Sequence, residues 1–261
     1  MSFSLQTANF WKRISAFMFD AIILVMLSFG FATGITALSN YDKKSESVKS
    51  YYSHYEEVYG VDFDITEEDF EKLTDEAKQV FQDAYKALQE DVGFQKATQK
   101  LFYLTLFIFS AGIFLSYLLW YFILPLFFGY GRTLGKKIFG LAVIRTNGVK
   151  ASNPVLFIRI AVGMFAMETL LPLSMLVMIW FDMMGVIGLI TIGLIALLEI
   201  GVLIYTKTNS SIHDLLTDTV VVDYVSQQIF ETQDDLLAYQ QEEHKKSVKK
   251  AEYDRLENKK N

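Results

Sequence analysis

Four apolar stretches, each holding or bordered by an ionisable side chain, constrain this chain more than any other feature. They run over 14–38, 101–128, 155–181 and 184–205. Runs of about 20 apolar residues match the roughly 30 Å hydrocarbon core of a bilayer. With 52% of 261 residues hydrophobic, and clustered rather than periodic, the chain is too apolar for an ordinary soluble domain. Arg13 and Asp20 lie at the start of the first stretch, Arg159 and Glu168 in the third, and Glu199 in the fourth. A charge in hydrocarbon costs several kcal/mol unless it is paired or hydrated. A chain that places several there either lines a polar path or pins helices together.

The expected fold is all-α: a polytopic transmembrane helix bundle of about four spans, with a helical extracytoplasmic insertion and a cytoplasmic tail. The last two stretches are nearly continuous. As one helix their roughly 50 residues would reach about 75 Å, so two crossings are expected, with a break near Asp182, Met183, Met184 and Gly185. Pro172 offers an earlier kink. Lys12 and Arg13 before the first run resemble a signal-peptide n-region. The run is too long for an h-region and contains Asp20, which favours an uncleaved span.

Loop charges suggest an orientation. The segment from Gly129 to Pro154 carries Arg132, Lys136, Lys137, Arg145 and Lys150 and no acid, which places it in the cytoplasm by the positive-inside rule. In segment 39–100 acids outnumber lysines by nearly two to one, so it is expected outside. Both termini are then cytoplasmic. Within 39–100, Thr66-Glu67-Glu68-Asp69 reads as a capping box, and the apolar spacing from Phe70 to Leu88 predicts a helix over 67–91. A second helix over 44–59 would carry Tyr51, Tyr52, Tyr55 and Tyr59 on one face. Asp62, Asp64 and Thr66 begin like a calcium loop, but Glu67 and Leu73 stand where its glycine and glutamate belong. The tail, 224–261, is polar and helix-prone. Val225, Ile229 and Leu236 form a narrow apolar seam, and Lys245, Lys246, Lys249 and Lys250 a basic patch that anionic lipid headgroups could attract.

Arg13 and Asp20 are seven residues apart and share one helix stripe. Arg13 can snorkel to the headgroups; Asp20, about 10 Å deeper, needs a partner or a proton. Glu199 lies at a depth similar to that of Asp20 and Glu168 nearer the midplane, which makes the three carboxylates the candidate ion or substrate ligands. Asp214, at the same interface as Arg13, is its candidate gate or structural partner. The loop Gly131-Arg132-Thr133-Leu134-Gly135-Lys136 through Gly140 invites a phosphate reading. Its Walker A spacing fails, because Tyr130 replaces the first glycine and Lys137 the Ser or Thr; an interfacial turn facing headgroups fits better. Leu141 to Ile144 suggest a short strand and Asn147-Gly148 a hairpin turn. Gly30 and Gly34 have the GxxxG spacing of close helix contact, which allows a homo-oligomer. His213-Asp214 lacks a nucleophile motif, there is no Cys, and no metal-ligand spacing occurs. The expectation is no enzyme, no cofactor, no metal and no nucleic-acid partner.

Three ordered elements resemble the RDD family of bacterial membrane proteins: Arg13-Ile14-Ser15-Ala16 with Asp20; Gly131-Arg132-Thr133-Leu134-Gly135-Lys136 through Gly140 and Val143; and Ile212-His213-Asp214 with Thr219-Val220-Val221. The resemblance covers 8–223. The acidic insertion and the tail depart from the core pattern and suggest a protein partner at 39–100. The resemblance implies a polytopic cell-membrane protein suspected of transport, with Arg13, Asp20 and Asp214 as the important trio. On these grounds the leading expectation is a transporter of small ions or solutes, with cation/proton exchange through intramembrane carboxylates. The alternative is a non-transporting adaptor or regulator acting through the outer segment and the tail.

Overall fold

The computed structural model describes residues 4–165, 173–183, 185–206 and 210–258; at 164, 165, 173, 174, 199, 203 and 253–258 it describes the backbone alone. The chain forms two compact units, residues 27–115 and residues 1–26 with 116–261.

The 27–115 unit contains the C-terminal part of helix α1 (Phe10–Leu38), then α2 (Tyr41–Tyr59), α3 (Glu67–Glu71), α4 (Asp75–Glu90) and most of α5 (Val92–Tyr117). The helix expected over 67–91 is two helices. Thr66 caps α3 by accepting from the Asp69 N–H, and eight residues on Thr74 caps α4 by accepting from the Ala77 N–H, each at 3.3 Å. A second Thr followed by two acids restarts the helix, because the hydroxyl offers the backbone a cap in place of continuation. Ala84 and Leu88 are fully buried and Phe94 nearly so. The tyrosine face of α2 divides: Tyr52 packs edge-on to Phe94 at 5.3 Å, and Tyr55 stacks on Tyr59. Gly112 brings α5 close to α1, where a Cβ would lie 3.0 Å from the Ser28 carbonyl oxygen; Gly30 and Gly34 have nothing that near.

Asp91 joins these elements. Its carboxylate accepts from the Gly93 and Phe94 N–H groups at the start of α5 and from the Tyr55 hydroxyl. The Phe94 hydrogen bond, aided by those of Gly93 and Tyr55, holds its carboxyl below the ordinary 3.8 against the opposing effect of desolvation. A depressed folded-state value means that the stabilisation is complete above the unfolded value and is lost as pH falls through the folded one. The difference in Tm between wild type and Asp91→Asn is therefore expected to be constant near neutrality and to shrink below pH 3.8; a difference that grows on acidification would contradict this.

In the other unit α5 continues through a π-turn (Leu118–Ile123) into α6 (Leu124–Phe128). Then follow α7 (Leu134–Ile138), β1 (Leu141–Arg145), α8 (Asn153–Phe165), α9 (Leu173–Trp180), α10 (Val186–Tyr205), α11 (Ile212–Leu216), β2 (Thr219–Asp223) and α12 (Gln233–Asn258). The expected break near 182–185 falls between α9 and α10, with Asp182 at φ 53°; Pro172 lies outside the described residues. Asn147-Gly148 does turn the chain, with the Arg145 N–H donating to the Val149 carbonyl at 2.8 Å. The main partner of β1 is nevertheless β2, antiparallel, with Leu141 opposite Asp223 and Arg145 opposite Thr219. Thr7 bridges to Val222 on the far side of β2. Leu141, Val143 and Val221 pack with Ala16 and Leu156, while Ala142, Ile144, Val220 and Val222 pack on Leu5, Tyr130 and Ile229. Both faces of the ribbon are buried, which explains its unbroken rather than alternating apolar runs. It binds together the N-terminal segment, the basic loop and the chain after α10.

Two helices among the described residues are long and apolar enough to cross a bilayer, Phe10–Leu38 and Val92–Phe128; Asn153–Gly163 and Val186–Val202 are shorter apolar helices. Only 17% and 33% of the most apolar windows of the two long helices are buried by protein. Met18, Ile22, Met26 and Phe29 of α1 all face outward. Continuous apolar surface of this kind calls for a non-aqueous surrounding.

Candidate functional site

The first turns of α1 place Arg13 and Asp20 against two different polar clusters. Asp20 is 2% exposed. Its Oδ1 accepts from the Trp120 Nε1–H at 3.0 Å and from the Gly135 N–H at 2.8 Å, and its Oδ2 accepts from the Thr133 hydroxyl. Trp120 lies within the π-turn of the long helix, a widened turn of a kind often found where a helix must present a side chain out of phase. Thr133 is also the N-cap of α7, accepting from the Lys136 N–H at 3.3 Å.

The glycine-rich loop thus forms a cradle of donors, and what it holds is the protein's own Asp20 carboxyl group. Its other residues hold the cradle in shape. Gly131 has φ 59°, and a Cβ there would lie 2.7 Å from Leu156 Cδ2; Gly140, at φ 67°, turns the chain into β1. Arg132 donates to the Phe128 carbonyl at 2.8 Å and lies 4.3 Å over the Tyr224 ring, closing the C-terminus of α6. Lys137 sits 4.5 Å over Phe128. At the rim, Tyr130 hydrogen-bonds Glu231, and that bond, with burial, pushes its hydroxyl up to about 12. At Gly135 a Cβ would stand 2.4 Å from the Ala16 carbonyl oxygen and 2.8 Å from Asp20 Cγ. Helix backbone cannot yield to that. Gly135→Ala is expected to cost about 3 kcal/mol or more, at the upper end of overpacking effects; a thermal melt matching wild type would contradict the cradle.

Asp214 forms the second cluster. It is N3 of a capping box with Ser211 and fully buried. Its Oδ2 accepts from Arg13 Nη2 at 3.2 Å and from the Ser211 hydroxyl at 2.9 Å. Its Oδ1 lies 2.9 Å from Arg159 Nε and 2.8 Å from Arg159 Nη2, with the Thr219 hydroxyl at 3.3 Å. Arg159 is 3% exposed. His213 Nε2 is 3.1 Å from the Ser211 hydroxyl, a contact inside the same sealed cluster. Arg13 and Asp20 also line one narrow cleft of about 40 Å³ with Tyr121 and Lys136. Two arginines and two aspartates, with Lys136 at the cleft, thus gather around the first turns of α1.

The structure brings Arg13 and Asp214 together and seats Asp20 in the loop Gly131–Gly140. Glu168 lies outside the described residues, as does the side chain of Glu199 in α10. Arg159, Trp120 and Thr219 were not assigned to the site from sequence. Arg159 had a signal, since a lone arginine in an apolar run requires an acceptor. So did Trp120, whose indole N–H seeks a partner when buried. Among the described residues no group of His, Asp and Glu could hold a metal ion.

The fold and this site define a class: a membrane-associated, mainly helical protein organised around a buried arginine–aspartate network. The sequence model of the RDD family matches residues 7–218, and the chain belongs to that family. No curated protein and no solved structure matches it.

Proposed function

We propose that this chain is a multi-pass cell-membrane protein with both termini in the cytoplasm, acting as a non-transporting adaptor or regulator. In this reading the Arg13, Asp20, Arg159 and Asp214 network locks the first helix to the β1–β2 platform, and segments 39–100 and 224–261 meet partners. The observation that carries it is the seating of Asp20, whose carboxylate is buried and takes three hydrogen bonds from Trp120, Thr133 and Gly135. An ion carrier must release its ligand, and a carboxylate so fully engaged has little capacity left for one. The charge bias of the loops and the 20-residue length of α10 support the multi-pass topology.

A second reading, small-ion or proton transport, is favoured by the cleft beside Asp20, whose volume of about 40 Å³ admits a water.

Because the chain has no Cys, single introduced cysteines report topology cleanly. Ser53→Cys should react with an impermeant maleimide on intact cells, and Ser247→Cys only after permeabilisation. Replacing 40–98 with a short linker should leave membrane insertion and the accumulation of the protein intact while failing to complement a deletion strain. Full complementation would remove the adaptor reading.

A further inference from the structure

The 27–115 unit carries a groove of about 680 Å³, lined wholly by its own residues and within the size range of small-molecule sites. Its apolar lining is aromatic: Tyr52 from α2, Phe63 from the connection to α3, and Phe81 and Tyr85 from α4. Phe63 is the hub, with ring centroids 5.8 Å from Tyr52, 5.4 Å from Phe81 and 6.2 Å from Tyr85, all at steep interplanar angles. Edge-to-face packing of this kind fixes the rings without burying them: Tyr85 stays 45% exposed and the other three are half-buried.

Two carboxylates share the groove, Glu56 and Asp64, against one cation, Lys49. Glu56 is held in place because its Oε1 accepts the Phe63 N–H at 3.0 Å, which ties the acid to the aromatic hub. The whole 39–100 segment has the same negative bias.

We propose that this groove is a binding site for organic ammonium groups. Ring faces attract a cation through the π quadrupole and strip little water from a methylated or alkyl-substituted nitrogen, while the carboxylates supply the opposite charge. An anion is repelled by that combination, and a neutral ligand gains nothing from the charge of the two acids. The site goes beyond the proposed adaptor role and stands on its own geometry. It accepts either a free amine or the side chain of a basic peptide, which present the same group.

The test uses full-length protein in a non-ionic detergent, read by ligand-observed NMR or calorimetry, so its result does not depend on whether the protein transports or adapts. The probes are choline, its neutral isostere 3,3-dimethylbutan-1-ol, and a short lysine-containing peptide. Saturable binding of choline or of the peptide is expected, and which of the two is tighter identifies the source. The isostere should bind about tenfold more weakly than choline. Asp64→Asn and Tyr85→Leu, both at exposed positions, should each weaken binding several-fold. Lys49→Gln should strengthen it, and Lys86→Ala, outside the groove, should leave it unchanged. Absence of saturable binding by either cation to protein of normal Tm would overturn the proposal. So would equal binding of the isostere, or affinity unmoved by Asp64→Asn and Tyr85→Leu together.

Discussion

Replacing Asp214 with alanine is expected to destabilise the protein by about 3–5 kcal/mol, the range for removing one partner of a buried ion pair. Domains hold only about 5–15 kcal/mol in total, so the variant should accumulate poorly and melt far below wild type. The cause is what remains behind. Arg159 loses the acceptor of two of its nitrogens, Arg13 loses its contact at 3.2 Å, and the hydroxyls of Ser211 and Thr219 lose theirs. Arg159 is buried, with 3% of its surface exposed. The cost should fall when the stranded charge is removed too, so Asp214→Ala combined with Arg159→Met should recover part of the loss. A double-mutant cycle in detergent, scored by thermal melting and gel filtration, measures this coupling. Additive effects, or an Asp214→Ala melt within about 2 °C of wild type, would show that the cluster does not hold the fold.

At Asp20 the informative comparison is alanine against asparagine. Alanine strands the indole N–H of Trp120, the hydroxyl of Thr133 and the N–H of Gly135 at once. Each unsatisfied buried donor costs about 1–3 kcal/mol, so a loss of about 3–5 kcal/mol is expected. Asparagine keeps most of the pattern: its Oδ1 can accept from Trp120 and Gly135, and its amide can donate to the Thr133 oxygen. What it lacks is the charge, so its cost should be about 1–2 kcal/mol, the margin of a charged over a neutral acceptor. If Asp20 serves the architecture, Asn is tolerated and Ala is not. If Asp20 carries a proton or cation, Asn folds and is inert.

Much of this arrangement was visible in the sequence, and the boundary of what was visible has physical causes. The apolar runs, the break before α10 and the α2 helix follow from local composition, length and turn residues. The contact between Arg13 and Asp214 follows from their common depth at one interface. The seat of Asp20 was hidden because its partners are up to 115 residues away and one of them is a backbone N–H, which has no residue signature. The glycine-rich loop read as an interfacial turn once its phosphate-loop spacing failed, and its seating of a carboxyl group of the same chain depends on tertiary placement. The pairing of β1 with β2 was hidden for the same reason: the adjacent Asn147-Gly148 turn offers a local partner, and a distant β-branched run supplies the ladder instead. The restart of the helix at Thr74 was legible in principle, since Thr74-Asp75-Glu76 repeats the signal of Thr66-Glu67-Glu68, but the apolar periodicity running through both outweighed it.

The account rests on Asp20 being a fastened structural acceptor and not a moving ligand. Reconstitution into sealed liposomes under an imposed pH gradient tests it most directly, with proton and monovalent-cation flux followed for wild type and Asp20→Asn. The expected result is flux no greater than in protein-free vesicles for both proteins, with Asp20→Asn folded. Cation-coupled proton flux in wild type that disappears in a folded Asp20→Asn protein would contradict it.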